Sequence, residues 1–408
     1  MALQSAFTLT ANEIYNTLAN MIISQQVFAD NISKHQTLVD KARVDGGLYG
    51  DTKLYYATDV LKSVAWGNDA EASNLLSLDR AEDPEVQAIK LDIFRQIRLT
   101  VDNYLTKRAF ADEGTFSSFN SVMLGWMQNT KKIYDGTLYN VFIGTTETNV
   151  GKQIVNIDID ADNNSAGENI AKNMADLFTE MSDYTRDYND YGNLHSFGDA
   201  EIKVIWNAKY FNQVKKIDLP SIFHDDALQS VFAGDVLPAR YFGTPTSSDV
   251  AAASNTTENT YRAMNEKDYE LTATAYATGT AYSAGDYITY DGDGYRVQAN
   301  ITAANNTEFD DVSTKKVGVV SSATKIIFHV FPGDYVPTGV KLDAGTVYTE
   351  NDAIICKVVT MLPPYMSAFE TGTSFFNPRS LTENHYLTFG HNTLQYLKNY
   401  PFITVKAI

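Results

Sequence analysis

The sequence is poor in cysteine: Cys356 stands alone among 408 residues. That excludes an intramolecular disulfide framework and a cysteine-rich zinc site. Cys356 lies in the apolar run AIICKVV, which reads as a strand with a buried thiol. Positive charge is also scarce, with 32 Lys and Arg against 50 Asp and Glu, a net charge of −18. Surfaces that grip phosphate backbones concentrate Lys and Arg, so tight nucleic-acid binding is excluded as the main role. No apolar run reaches the roughly 18 residues of a membrane helix, so neither a span nor a membrane partner is expected. The segment MALQSAFTLTANE lacks a basic stretch followed by an apolar one, so no secretory signal is read and cytoplasmic assembly is expected.

What is present fits a globular chain. Apolar residues make up 44% and charged residues 20%, an ordinary balance, and the length suits two or three domains. The longest helical pattern runs from Thr115 to about Phe142. Phe116, Phe119, Met123, Trp126, Met127, Ile133, Tyr134, Leu138 and Val141 recur at gaps of three and four and keep one face apolar. Gly125 and Gly136 interrupt it. Each costs a helix about 1 kcal/mol, so both are expected to mark a bend or a close backbone approach.

Residues 10–33 read as an amphipathic helix. Thr10 and Glu13 have capping-box spacing, and Ile14, Leu18, Met21, Phe28 and Ile32 form the stripe. After the glycine-rich break at Asp45–Asp51, TKLYYATDVLKSVAW suits a strand. EVQAIKLDIFRQIRLTVDNYL alternates apolar and polar residues at period two, a half-buried strand. The pair describes a long two-stranded arm around a polar tip. A lone hairpin is marginal in water, so such an arm is expected to lie on its own subunit or the next.

Past the long helix, strands and helices alternate: KQIVNIDID, a helix capped by Ser165 and Glu168, the strand EIKVIW and the short helix NAKYFNQVKKI. From Thr244 to Lys325 the sequence turns to short strands and turns, with a tight hairpin at Asp291-Gly292-Asp293-Gly294. The remaining carboxyl side reads as strands and connections.

The chain offers little chemistry. Asp158, Asp160 and Asp162 begin a calcium-loop pattern, but Asn163 stands where glycine is needed and Asn169 where glutamate is needed. Strand-end and helix-cap roles account for these residues better. His224-Asp225-Asp226 reads as a solvated loop. His385 and His391 lack a third ligand, and Gly390 and Asn392 point to a turn there. The glycines at 46, 47 and 50 do not have dinucleotide-loop spacing. No catalytic residue, metal site or cofactor is expected. Tyr276, Tyr282, Tyr287, Tyr290 and Tyr295 crowd the inserted β-region. Exposed rings stack on sugar faces, and Tyr282, Tyr287, Tyr290 and Tyr295 are the candidate glycan contacts. The competing reading has them packing a small core.

The order of parts resembles the major capsid proteins of tailed bacteriophages with the Hong Kong 97-type fold, most closely those of short-tailed phages, including the crAss-like group. GLYGDTKLYYATDVL and EVQAIKLDIFRQIRLTVDNYL look like the two strands of the E-loop. LTKRAFADEGTFSSFNSVMLGWMQNT looks like the entry to the spine helix, and IKVIWNAKYFNQVKKIDLPSIF like an axial-domain segment. TENHYLTFGHNTLQYLKNYPFITVKAI looks like the final strands. Lys53, Lys62 and Lys90 are available for covalent cross-linking, but no motif supports transferring that chemistry.

The resemblance implies an α+β fold with an arm at 1–44, an E-loop at 45–105, and a peripheral domain with the spine helix at 106–200. It further implies axial-domain parts at 201–243 and 326–380, an inserted all-β domain at 244–325, and peripheral carboxyl-terminal strands at 381–408. It implies a non-enzymatic shell subunit whose copies form hexamers and pentamers of a virion head around double-stranded DNA, without sequence-specific contacts. Portal, scaffolding or decoration proteins are the other implied partners, with a host glycan for the insert. Ile14, Leu18, Phe28, Tyr55, Tyr56 and Trp66 are the expected intersubunit contacts of arm and E-loop. The alternative is a carbohydrate-binding surface protein acting through the insert.

Overall fold

The computed structural model describes residues 37–47, 51–63, 80–102, 113–161, 165–215, 234–252, 260–322 and 324–408. The chain forms two compact units. One comprises Met1–Gly136, Glu147–Val236 and Ile355–Ile408, the other Thr137–Thr146 and Leu237–Ile354.

The first unit holds two five-stranded sheets. In the first, β1 (Arg43–Asp45), β2 (Thr52–Ala57) and β3 (Glu85–Asp102) are joined by the carboxyl-side hairpin of β17 (Tyr365–Asn377) and β18 (Thr382–Asn392). The order is β1-β17-β18-β3-β2. The period-two pattern fixes the register: β3 pairs with β18 from Asp102↔Thr382 to Leu91↔Asn392 and with β2 from Lys90↔Thr52 to Glu85↔Ala57. Strand β2 stops at Ala57, so the run to Trp66 expected as one strand is shorter. A short helix, α1 (Thr37–Ala42), leads into β1, which lies parallel to β17.

The second sheet runs β4-β19-β16-β5-β6, built from β4 (Ile154–Ile157), β5 (Lys203–Asn207), β6 (Asp235–Leu237), β16 (Ile354–Val359) and β19 (Phe402–Ala407). The closing strands β18 and β19 thus divide between two sheets. Helix α3 (Ala166–Ser182) carries the expected capping box of Ser165 and Glu168, and with α4 (Ala208–Lys215) it shares a core with this sheet. That core includes Met174, Phe178, Trp206 and Cys356, with the Cys356 sulfur 3.8 Å from that of Met174. Burial pushes the Cys356 thiol far above its ordinary range, as its place in AIICKVV implied.

The second unit is almost wholly β. A three-stranded sheet runs β7-β15-β8, from β7 (Gly243–Pro245), β8 (Arg262–Ala263) and β15 (Val347–Glu350). A six-stranded sheet runs β10-β11-β12-β13-β14-β9. Its strands are β9 (Lys267–Thr272), β10 (Thr274–Ala275), β11 (Tyr287–Tyr290), β12 (Asp293–Val297), β13 (Thr314–Ser322) and β14 (Lys325–Val330). Asp291 and Gly292 both have positive φ, 45° and 81°, which is the tight hairpin turn read from the sequence.

The long helix α2 spans Glu113–Thr145, 33 residues. Around Gly125 an added Cβ meets nothing among the described residues within 4 Å, so no close approach by them occurs there. Gly136 is buried. A tight contact falls at Gly144 in the last turn, where a Cβ would come within 2.1 Å of the Tyr241 carbonyl oxygen. The sequence pattern places that glycine past the helix end, so it goes unmarked.

Candidate assembly surfaces

The β2–β3 ribbon has two unlike faces, because neighbouring side chains on a strand point to opposite sides. The inner face carries Ile89 and Leu91, buried with Met366 and Leu397, and Tyr55 packs against them. Gln87 pins this face: its side-chain amide donates to the Tyr396 carbonyl and its side-chain oxygen accepts from Lys398 N–H. The outer face carries Leu54, paired with Ala88, and Tyr56, paired with Val86. Leu54 is 51% and Tyr56 65% exposed. Val60 and Leu61, just beyond the strand, are also exposed. Of the expected contacts, Tyr55 therefore faces its own sheet and Tyr56 faces outward. Ile14, Leu18, Phe28 and Trp66 lie outside the described residues.

A tie just beyond β2 holds one end of this ribbon. Asp59 accepts from Arg186 at 2.6 Å and from Leu194 N–H at 3.0 Å, and the Arg186 bond holds its carboxyl down at about 2. At the opposite edge of the sheet, Arg43 of β1 reaches Asp135 of α2. A second exposed apolar group, Phe375, Phe376 and Leu381, stands at the β17–β18 turn.

The sequence's chemical candidates resolve into structural parts. Asp158 accepts from Asp160 N–H, and Glu168 from Ser165 N–H. Asp162 and His224-Asp225-Asp226 lie outside the described residues. His385 and His391 share one strand, β18, so the turn expected between them is absent; the strand only bulges after His391. His391 is buried, donating from Nδ1 to the Asn392 carbonyl and accepting at Nε2 from the Tyr134 hydroxyl at 2.8 Å. Burial lowers its pKa below the ordinary histidine range. Among the described residues no group of three His, Cys, Asp or Glu is placed to hold a metal.

The insert tyrosines divide. Tyr282 is 5% exposed, its hydroxyl accepting from Ala277 N–H. Tyr287 and Tyr295 are half-buried. Tyr290, 41% exposed, lies flat on Phe309 with ring centres 4.1 Å apart and planes 5° from parallel. Tyr276 and Tyr295 meet Phe309 edge-on. These rings touch one another, which is how a small module makes a core. Only Tyr290 offers substantial open surface.

No protein-family model and no curated protein matches the sequence. Solved structures do. A chain of the capsid of Staphylococcus phage Andhra superposes with a TM-score of 0.55 at 8% identity, covering 90% of this chain and 83% of the other. A chain from the structure of the head fibre and inner core protein gp22 of native bacteriophage P68 gives 0.54 at 7% identity, with the same coverage. The chain has the fold of a tailed-phage capsid protein.

Within this capsid fold, sequence reasoning missed Phe309 and the Arg43–Asp135 tie. Phe309 stands alone in the polar stretch NNTEFDD, and an isolated aromatic there was the available signal. Asp135 is not among the apolar residues of the long helix, yet it is fully buried. Only Lys131, four residues earlier on the same helix, could have marked it, because Arg43 and Tyr365 come from distant parts of the chain.

Proposed function

We propose that this chain is the shell subunit of a tailed-phage head. Copies assemble into hexamers and pentamers of an icosahedral capsid that encloses double-stranded DNA. The observation that carries the reading is a likeness spanning 90% of the chain to a chain of a phage capsid. The outward apolar strip of Leu54, Tyr56 and Val86 supports it, since exposed apolar strips on extended ribbons bury themselves on neighbours. The net charge of −18 supports a shell that holds DNA without gripping it. Portal and scaffolding or decoration proteins are the remaining proposed partners, with assembly in the host cytoplasm before the subunit resides in the virion. The proposed division into arm, E-loop, peripheral domain, axial domain and insert starts from the boundaries above, with the inserted sheet running on through β14 to Val330.

The reading assigns no catalytic role. The alternative, a carbohydrate-binding surface protein, is not favoured, because the likeness spans 90% of the chain rather than the insert alone. A host-glycan contact by the insert falls on Tyr290, the most open ring. The test of the shell reading is Tyr56→Glu together with Leu54→Glu in the full chain. The folded monomer is expected to survive while particle formation fails. Particles at wild-type yield would remove the ribbon from the assembly surface.

A further inference from the structure

The second unit contains one β-unit twice. Residues 278–290 (TGTAYSAGDYITY) and 338–350 (TGVKLDAGTVYTE) align without a gap. Their backbones agree where agreement is least accidental. Gly279 and Gly339 have φ of 75° and 81°, and Gly285 and Gly345 have φ of 98° and 70°. Both segments turn the same way at the Ala-Gly pair: Asp286 N–H donates to Ser283 O at 3.1 Å, and Thr346 N–H to Asp343 O at 3.2 Å. A strand starts two residues past each of these glycines, β11 in one copy and β15 in the other.

The partner strands agree as well. Tyr282 and Ile301 exchange both backbone hydrogen bonds, and so do Leu342 and Val250. Gly285 N–H donates to Val297 O at 2.8 Å, and Gly345 N–H to Thr246 O at 2.9 Å. Ala284 N–H donates to the side-chain oxygen of Asn300 at 2.8 Å, and Ala344 N–H to that of Asp249, also at 2.8 Å. Residues 297–301 thus stand to the first segment as residues 246–250 stand to the second.

The copies differ in connection. In one, the partner strand follows directly, making a continuous hairpin. In the other, the partner strand comes first, and residues 251–337, which contain the whole of the first copy, are threaded between its halves. Each copy has its own core: Tyr282, Ile288, Val297 and Ile301 in the inner one, and Val336, Leu342 and Val347 in the outer one. The closing contacts of the outer copy lie between 243–250 and 342–350, on either side of the insertion.

We infer that the inserted sheet is a passenger built on a second copy of the unit that carries it. The outer copy belongs to the shell subunit. The inner copy closes on its own contacts, and shell assembly does not need it. The Lys267–Val330 rung at the base of β9 and β14 is then a permissive point for displaying a module. Of the outer core, Tyr269 and its partly buried neighbour Phe328 come from beyond that rung, whereas Ala263, Val330 and Val336 remain on the near side.

The test uses equivalent positions in the full-length chain. Gly285 and Gly345 each have open space for a side chain, so valine strains only the backbone, through positive φ. Gly285→Val is expected to admit protease cuts confined to residues 267–330 while particles form at wild-type yield. Gly345→Val is expected to cut particle yield at least tenfold. A second variant, with Asp268–His329 replaced by Asn-Gly, is expected to assemble. Loss of particles in both Gly285→Val and the replacement variant overturns the passenger assignment. Equal protease resistance of Gly285→Val and wild type overturns the equivalence of the two turns, as does an unaffected Gly345→Val. The assembly readout rests on the shell-subunit reading. If the wild-type chain forms no particles, that reading fails, while the protease result still decides whether the inner copy opens alone.

Discussion

Arg43 and Asp135, 92 positions apart, meet at 3.1 Å and join the first described strand to the long helix. Asp135 is fully buried and also accepts from Lys131 at 3.2 Å and from the Tyr365 hydroxyl at 2.6 Å. A buried carboxylate without partners is costly, and this one has three. Arg43→Ala leaves Lys131 and Tyr365 in place, so the expected loss is about 1–2 kcal/mol. Asp135→Ala removes the buried acceptor shared by Arg43, Lys131 and Tyr365, and about 3–5 kcal/mol is expected. Denaturant unfolding of both variants checks the order; an equal cost for the two would contradict it.

The helix glycines give opposite expectations. Gly125 has open space, so Gly125→Ala should stabilise by up to about 1 kcal/mol through helix propensity. At Gly144 the new methyl group would collide with the Tyr241 carbonyl, so Gly144→Ala should destabilise by about 1–3 kcal/mol or more. Thermal unfolding of the two variants reads the sign directly.

His329 sits between Glu266 at 2.9 Å and Asp268 at 2.5 Å, tying β14 to the start of β9. The hydrogen bond to Glu266 leads in raising its pKa from 6.5 to about 8, against the opposing effect of burial. A raised folded value means that this contribution is complete below about 6.5 and is lost as pH climbs through about 8. Hydrogen exchange in β9 and β14, corrected for intrinsic rates, should show less protection at pH 9 than at pH 6.5. Glu266→Gln should flatten the difference. Unchanged protection in the wild type across that range would rule the ion pair out as a stabiliser.

Lys357 has the opposite sign. Its amine is fully buried, donates to Thr404 at 2.8 Å, and is pushed down to about 7 by desolvation, with Glu147 opposing. Folding therefore expels a proton between about 7 and 10.5, and stability from this group rises with pH over that window. Lys357→Met should gain most over the wild type near pH 6 and least near pH 10. Parallel stability curves would show that the amine keeps its proton when folded.

Much of the architecture was legible because it follows from local rules. The period-two run at Glu85–Asp102, the Ser165–Glu168 cap and the turn at Asp291-Gly292 each state their structure within a few residues. The strand carrying His385 and His391 was misread as turning because Gly390 looks like punctuation. In the sheet that glycine instead makes room for the Phe94 ring, 2.9 Å from where a Cβ would sit. The partners of Asp135 and Phe309 were not legible, since they come largely from segments that only folding brings together; the twofold β-unit left TG-x-x-x-x-AG at 278–285 and 338–345, but its partner strand follows one segment and precedes the other.

The most direct measurement is electron microscopy with sedimentation velocity on the purified full-length chain, with and without a scaffolding partner. The shell reading predicts closed icosahedral particles, or free hexamers and pentamers that convert to them. A strictly monomeric species under every condition would contradict it.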